Sequence, residues 1–513
     1  MMSYSCRYFR ARKRNNAIET DGLQSCVLGN KLSSDNSADF NGVFVEWKWD
    51  GTCLNISNDY CGYYPLFYYA DKEQIIVSDS IVKLIALGVP TEYNREALSV
   101  FCRCGFFLSD DTPFRQIHTL PPNAALTWQN GNMSVKSQRR INKAADLTTE
   151  QAVEGYIEFF RQSMAKYQPY NEQFALPLSG GRDSRQILLE LWRTKKLPKM
   201  LVTCGDKRDI DVAKIFAERL KIKHQILSGK GKWTDYVLRK NIATHFCALE
   251  HAWLMELGDY LSATTEEFYE GTGVGALARG DLFTPENVAL YKANRLRDIA
   301  NWVFDKFGPP TEFFDCLPEE FNFLGRTRDI SVELFANELG TLLTAANPLT
   351  AMSFWNWGRR AIALWPFGIA SRIKRVNTPY LDRNLYDFVS SFAPELVLRQ
   401  EPQAAAIKKA FPEFADVPFY NELPKSISKK RSLIKRLANY SNKLLTIARL
   451  CPSHLPLLYT IKENSLLSKR NIGMQETVLF YLSQLKYCSS KENAERTLAE
   501  YSTVYNKRKN IYH

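Results

Sequence analysis

The sequence predicts a mainly antiparallel-sheet α+β domain over residues 1–145, an α/β domain with a parallel sheet over 146–430, and a basic helical extension over 431–513. Three observations carry this. Up to about residue 140, short segments of alternating aromatic and β-branched residues lie between Asp, Asn and Gly turns. After "RRINKAAD" apolar strands alternate with amphipathic helices, the mark of a covered parallel sheet. Beyond about residue 330 the pattern is mostly helical.

In chain order, "NGVFVEWKWDG", "TCLNISNDYCG", "YYPLFYYAD", "EQIIVSDS" and "AALTWQNGNMSV" read as strands closed by turns, and "REALSVFCRCGFF" as a helix among them. "LTTEQAVEGYIEFFRQSM" opens with Thr148 and Gln151 at capping-box spacing and sets Val153, Ile157, Phe160 and Met164 on one helical face. Strand Phe174 to Leu178 then leads through a serine-glycine turn to a helix from about Ser184. "KMLVTCG" precedes the helix "DIDVAKIFAERL", "KHQIL" follows it, and "EEFYEGTGVG" ends a further strand.

A chain of 513 residues with 45% hydrophobic and 24% charged residues can bury more than one core, and disorder throughout is excluded. No window of about 18 uncharged apolar residues occurs, so a soluble, cytoplasmic protein without stable membrane insertion is expected. Eleven cysteines lack paired C-x-x-C spacing, and reduced thiols are expected; Cys102 and Cys104 have no companion pair with which to hold a metal. The net charge of +12 gathers in "RYFRARKR", "KSISKKRSLIKR" and "NKRKN" without a nucleic-acid motif, so solvated surface is expected and no nucleic-acid partner.

The stretch "LPLSGGRDSRQ" carries the chemistry. Gly180 and Gly181 let backbone approach a ligand, the following helix directs N–H groups and its positive end there, and Ser179 and Ser184 add hydroxyls, so the turn suits phosphate. It lacks the glycine spacing and lysine of a P-loop. Asp183 would repel phosphates unless it carried a metal, so it reads as a Mg²⁺ ligand, with Arg182 and Arg185 as further positive charge. The plainer alternative is a glycine turn with Asp183 or Ser184 capping the helix.

S-G-G-x-D-S after a strand resembles the pyrophosphate-binding motif of the ATP-pyrophosphatase superfamily, and the flanking text resembles its asparagine synthetase and β-lactam synthetase group. In "VTCGDKRDIDVAKIFAERLKIKHQ", Cys204, Gly205, Asp211, Ala213 and His224 stand where that group has its adenine-side strand and helix. Pro379, Tyr380, Leu381 and Asp382 resemble its P-F-L-D segment. Asp59, Gly62, Pro65, Leu66, Ser78, Thr112, Pro113, Phe114, Leu120 and Pro122 resemble its glutaminase-like first domain. The resemblance implies an Ntn-type glutaminase-like domain followed by an adenine-nucleotide alpha-hydrolase-like (PP-loop) domain. It implies ATP and Mg²⁺ over Leu178, Ser179, Gly180, Gly181, Arg182, Asp183 and Ser184, with Cys204, Gly205 and Gly271 also on the nucleotide.

The departures shape the expected function. Residue 2 is Met where glutamine-using members have cysteine, and Cys6 falls inside the expected first strand, so the first domain reads as lacking glutaminase chemistry. In "YEGTGVGALARGDLF", Thr272 replaces a Glu or Tyr and Gly275 replaces the metal-binding Asp; Asp281 is the candidate second Mg²⁺ ligand, or a helix cap, and Glu270 the candidate base. Arg375 stands where a glutamate would complete a β-lactam synthetase dyad. Lys425, with Lys429 and Lys430 as rivals, is the candidate lysine for charge developing at the α-phosphate. The branch most resembled is that of lasso-peptide cyclases, which implies a precursor peptide as substrate and a leader-peptide cysteine protease as partner. Asparagine synthesis, β-lactam closure and a non-catalytic peptide scaffold are the competing readings.

Overall fold

The computed structural model describes residues 6–14, 17–32, 41–227, 233–273, 277, 280–315, 317–399, 401–423 and 472–509. The first part holds two five-stranded antiparallel sheets. One contains β1 (Tyr8–Arg14), β2 (Ala17–Gly22), β6 (Phe67–Ala70), β7 (Gln74–Ser78) and β8 (His118–Thr119), in the order β2–β1–β7–β6–β8. The other contains β3 (Ser25–Leu32), β4 (Asn41–Trp49), β5 (Cys53–Asn58), β9 (Ala125–Gln129) and β10 (Asn132–Lys136), in the order β10–β9–β5–β4–β3. Alternation sets the buried face: in β9, Leu126 and Trp128 point in while Ala125, Thr127 and Gln129 face out. The sheets meet through aromatic rings, Phe9 lying 5.7 Å from Trp49.

The turn after β5 is pinned from within. Buried Asp59 accepts backbone N–H groups from Phe44 (3.0 Å), Cys61 (2.8 Å) and Gly62 (2.9 Å). Gly62 has φ +59°, and a Cβ there would lie 2.7 Å from Pro122 Cα. This turn delivers Tyr60, Tyr63 and Tyr64 to the second part of the molecule.

That part is built on β11 (Ala175–Pro177), β12 (Met200–Thr203), β13 (Lys223–Ile226), β14 (Glu267–Tyr269) and β15 (Arg375–Asn377), all parallel, in the order β13–β12–β11–β14–β15. The order reverses between β11 and β14, so a crevice opens at their carboxyl ends. Within the first part, between β7 and β8 in the chain, lie α1 (Ile81–Ala86) and α2 (Arg95–Cys104); α3 (Thr149–Lys166), α4 (Asp183–Arg193), α5 (Lys207–Leu220), α6 (Trp233–Ala243) and α7 (Met255–Thr264) alternate with or follow the strands of the parallel sheet. The Thr148–Gln151 capping box forms as its spacing predicts. Helix Pro348–Met352 runs on into widened π turns at Ser353–Gly358 and Trp365–Ile369, a distortion that recurs at functional sites.

Several boundaries differ from the sequence reading. Cys6 precedes the first strand, which begins at Tyr8, and the strand before the serine-glycine turn is only Ala175–Pro177, Leu178 still donating to Val202 O at 2.9 Å. Cys102 and Cys104 lie in α2, both buried, their thiols pushed up to about 12 by desolvation. Met2, Gly275, Lys425, Lys429, Lys430 and the run "KSISKKRSLIKR" lie outside the described residues. Helices Ile472–Cys488 and Lys491–Lys509 close the described chain, Tyr481 of the first donating to Phe246 O at 3.0 Å. Among the described residues no helix is long and apolar enough to cross a membrane.

Candidate active site

A cavity of about 590 Å³ opens at the carboxyl ends of β11 and β14. Of the sequence candidates, Leu178, Ser179, Gly181, Arg182, Asp183, Ser184, Cys204, Glu270, Gly271 and Asp281 line it; Gly180 and Gly205 do not.

The serine-glycine turn is held by bonds of its own. Ser179 N–H donates to Ser184 Oγ at 3.1 Å and Gly181 N–H to Ser179 Oγ at 3.2 Å. Gly180 turns its back on the cavity: its N–H donates to Asp209 Oδ1 at 2.8 Å and its carbonyl accepts Tyr420 N–H at 2.8 Å. A Cβ there would meet Tyr420 Cβ at 3.2 Å and Val212 Cγ2 at 3.4 Å, so this glycine packs closely against α5 and Tyr420. Gly205 is explained in the same way, since a Cβ would lie 2.5 Å from Asp209 Oδ2. The ligand-facing role expected of Gly180 and Gly205 is therefore corrected to one of shaping the turn from behind.

The arginines also differ from expectation. Arg185 is buried and points away, donating to Val417 O (2.8 Å) and Pro418 O (2.6 Å) and covering the Phe419 ring at 4.3 Å. Desolvation brings it down to about 10. Arg182 lines the cavity, but it is bonded to Glu401 and lies over Phe419 at 5.0 Å. Neither is an uncommitted phosphate clamp. The sequence alternative of a side-chain cap on α4 is absent too, because Arg182 occupies the cap position in helical conformation without such a bond.

Asp183 stands at the start of α4. Gln403 Nε2 donates to its Oδ1 at 2.6 Å, and Tyr380 donates to its main-chain oxygen at 3.2 Å, so the Pro-Tyr-Leu-Asp segment buttresses this helix start. Desolvation raises the Asp183 carboxyl, against the bond from Gln403. Gly271 passes so close that a Cβ would lie 2.6 Å from Asp183 Cβ, bringing the end of β14 against the turn. Glu270, next to it, accepts Trp365 Nε1–H at 2.7 Å and the Thr272 hydroxyl at 3.1 Å, and desolvation raises its carboxyl. One bond to each oxygen fixes the Glu270 carboxyl in place at the cavity wall.

Glu250, His251 and Trp253 add to the wall. Desolvation raises the Glu250 carboxyl, and the charge of nearby Asp281 adds to the effect. His251 is brought down to about 4 by burial, so it is neutral near pH 7. Cys204 donates to Trp253 O at 3.5 Å, and burial pushes its thiol up to about 11. Glu250, Gln403, Trp357 and Trp365 carry no sequence signal, since they arrive from loops and helices distant in the chain; Asp209, in the first turn of α5, has a position that strand–turn–helix logic could have marked. Arg375 faces Glu267 at 3.4 Å, as part of β15.

The hard oxygen donors Asp183 and Asp281, on one cavity and with the Asp183 carboxylate desolvated beside few donors, fit Mg²⁺, which keeps several waters and needs only one or two protein carboxylates. Among the described residues no group of three metal-ligating side chains converges.

Residues 26–139 match a glutamine amidotransferase domain, and they span most of the antiparallel part. The first part of the molecule is thus of amidotransferase type, as in the N-terminal domain of asparagine synthetase-like enzymes. Such a domain beside a parallel-sheet cavity is consistent with an asparagine synthetase-like ligase or amidotransferase. No curated protein matches the chain.

Proposed function

We propose that the chain is an AMP-forming amide ligase whose α/β part has the PP-loop fold and binds ATP with Mg²⁺. The observation that supports this most is the Ser179–Ser184 turn, opening where the strand order reverses and meeting Asp183, Glu270 and Asp281 in one cavity. A substrate carboxylate oxygen attacks the α-phosphorus of ATP, the bond to the β-phosphate oxygen breaks, and pyrophosphate leaves toward Ser179, Gly181 and Ser184. A neutral amine then attacks the acyl carbon, the acyl–oxygen bond breaks, AMP leaves, and the amine's proton passes to a carboxylate or to solvent. When bound, Mg²⁺ supplies charge neutralisation for the departing pyrophosphate. The protein's own part is to hold both ends, which is worth about 7–11 kcal/mol of the barrier in well-oriented systems.

Within this reading the substrate is a leader-cleaved precursor peptide, whose Asp or Glu side chain is joined to its N-terminal amine in lasso-peptide macrolactam formation for an antibacterial peptide. A leader-peptide cysteine protease is the partner, and the cytoplasm the compartment. The S-G-G-R-D-S variant and the carboxylate-rich cavity support it. Incubation of the full chain with ATP, Mg²⁺, the protease and a candidate precursor tests it. Loss of one water from the trimmed peptide with stoichiometric AMP is the expected result; ADP release, or an Asp183→Asn variant that forms product at the wild-type rate, overturns it.

A further inference from the structure

Residues 353–369 contribute Trp357, Gly358, Ile362 and Trp365 to the cavity lining, and both ends of the stretch are widened π turns, Ser353–Gly358 and Trp365–Ile369. A helix widened in this way departs from its regular bonding ladder, so its shape depends on partners outside it.

On one side those partners belong to the amidotransferase-type part. Arg359 Nε donates to Gly62 O at 3.3 Å, its Nη1 to Ser109 O at 3.0 Å, and its Nη2 to Asp110 Oδ1 at 2.7 Å and Leu120 O at 2.8 Å. Arg360 Nη1 donates to the Thr119 hydroxyl at 2.7 Å and its Nη2 to Asp111 O. Ser109 N–H donates to Asn356 Oδ1 at 2.8 Å, and a Cβ on Gly358 would lie 2.6 Å from the Tyr63 hydroxyl. The first-part residues of this set all fall within 26–139.

The two arginines come at a cost to folding. Each is 3% exposed, they are neighbours of like charge, and Asp110 is the one carboxylate paired with them among the described residues. Desolvation brings Arg359 down to about 10, against the attraction of Asp110. What their bonds secure is a single placement of the segment that carries them.

That segment holds other groups on its far side. Ala361 O accepts the Nε2–H of His251 at 3.0 Å, a residue kept at a left-handed φ of +78°. Trp365 Nε1–H donates to Glu270 Oε2 at 2.7 Å, and Gly271, next to Glu270, lies against Asp183. A chain of bonds thus runs from the first part through the segment to the end of β14.

We propose that the amidotransferase-type part acts as a clamp on the cavity: Arg359, with Arg360 beside it, is a positioning residue that holds residues 353–369 and, through Trp365, aims the Glu270 carboxyl. That this aim matters for turnover rests on the ligase reading; the clamp itself rests on the contacts alone.

The test uses the full chain with Arg359→Lys, which cannot span the same acceptors, and the milder Asp110→Asn. Ile56→Ala, which trims a buried side chain of β5, is the control for lost stability. Amide hydrogen exchange read by mass spectrometry, without ligand and below the melting temperatures, is expected to quicken over residues 353–369 by about tenfold or more in Arg359→Lys, less in Asp110→Asn, and not in Ile56→Ala. In AMP release, Arg359→Lys is expected to lose about tenfold to a hundredfold in kcat, with KM for ATP near wild type. Exchange over 353–369 that stays at the wild-type level in both Arg359→Lys and Asp110→Asn overturns the proposal, as does a fall in kcat no greater than that of Ile56→Ala. A wild type that releases no AMP overturns the ligase reading alone, and the exchange result still decides the clamp.

Discussion

Asp59 and Asp183 are both carboxylates in turns that follow a strand, one in each part of the molecule. Asp59 is 2% exposed and accepts three backbone N–H groups, so nothing in its surroundings is left to bind. Asp183 accepts one side-chain bond, from Gln403, and otherwise faces the cavity. Saturation by the chain's own donors makes a carboxylate architectural; acceptor capacity left over in a cavity makes it chemical.

Exchanging the two effects is the strongest way to break that comparison. Asp183→Asn is expected to lower AMP-forming turnover by about 10²–10³-fold, the scale of losing one electrostatic partner of a reaction. Its urea midpoint should move little. Asp59→Ala removes the side-chain acceptor of three backbone N–H groups, only Gly62 N–H keeping a bond to the Asp59 main-chain oxygen, and is expected to cost about 3 kcal/mol in urea unfolding. If Asp183→Asn unfolds the chain while Asp59→Ala only slows it, the comparison is wrong.

Asp209 offers a finer division, because it is architectural in location but borders the site. Asp209→Ala frees Gly180 N–H and should raise KM for ATP by about tenfold, the loss of roughly one hydrogen bond's worth of positioning. Asp209→Asn keeps an acceptor and should stay near wild type. Equal effects of the two substitutions in steady-state kinetics would show that charge, and not the bond to the turn, is what matters.

How far this division was legible in the sequence depends on how local its causes are. The capping box at Thr148, the alternation in β9 and the strand–turn–helix around Asp183 follow from neighbours within a few residues, and they form where the text places them. The facing of Gly180 depends on Asp209 and Tyr420, one on the next helix and the other 240 residues on; Arg185 is drawn away by the Val417 and Pro418 carbonyls. No spacing rule carries such partners. The cavity lining by Tyr63, Trp357 and Trp365 was invisible for the same reason: it is assembled from both parts of the chain and a π-distorted segment.

Lys240 tests whether burial behind the cavity carries a pH signature. It is fully buried in α6, donates to Ala248 O at 2.7 Å, and is brought down to about 7 by desolvation. Between about 7 and the ordinary 10.5 the unfolded chain holds a proton that the folded chain lacks, so this residue makes stability rise with pH across that window. Below it the penalty is fully present. Lys240→Met should therefore gain most over wild type in melting temperature at pH 7, and the gain should shrink toward pH 10.

The smallest expected effect is at Cys204, the one thiol on the cavity wall among the described residues. Burial pushes it up to about 11 and its Sγ–H is engaged with Trp253 O, so alkylation at pH 7 should be slow. Because only the thiolate reacts, the rate should climb about tenfold per pH unit toward that value. ATP with Mg²⁺ should slow Cys204 modification while leaving that of Cys26, on β3 far along the chain from the cavity residues, unchanged. Peptide-resolved mass spectrometry after iodoacetamide treatment reads both. Equal protection of the two cysteines would show that the nucleotide tightens the whole chain and does not cover the Cys204 end of the cavity.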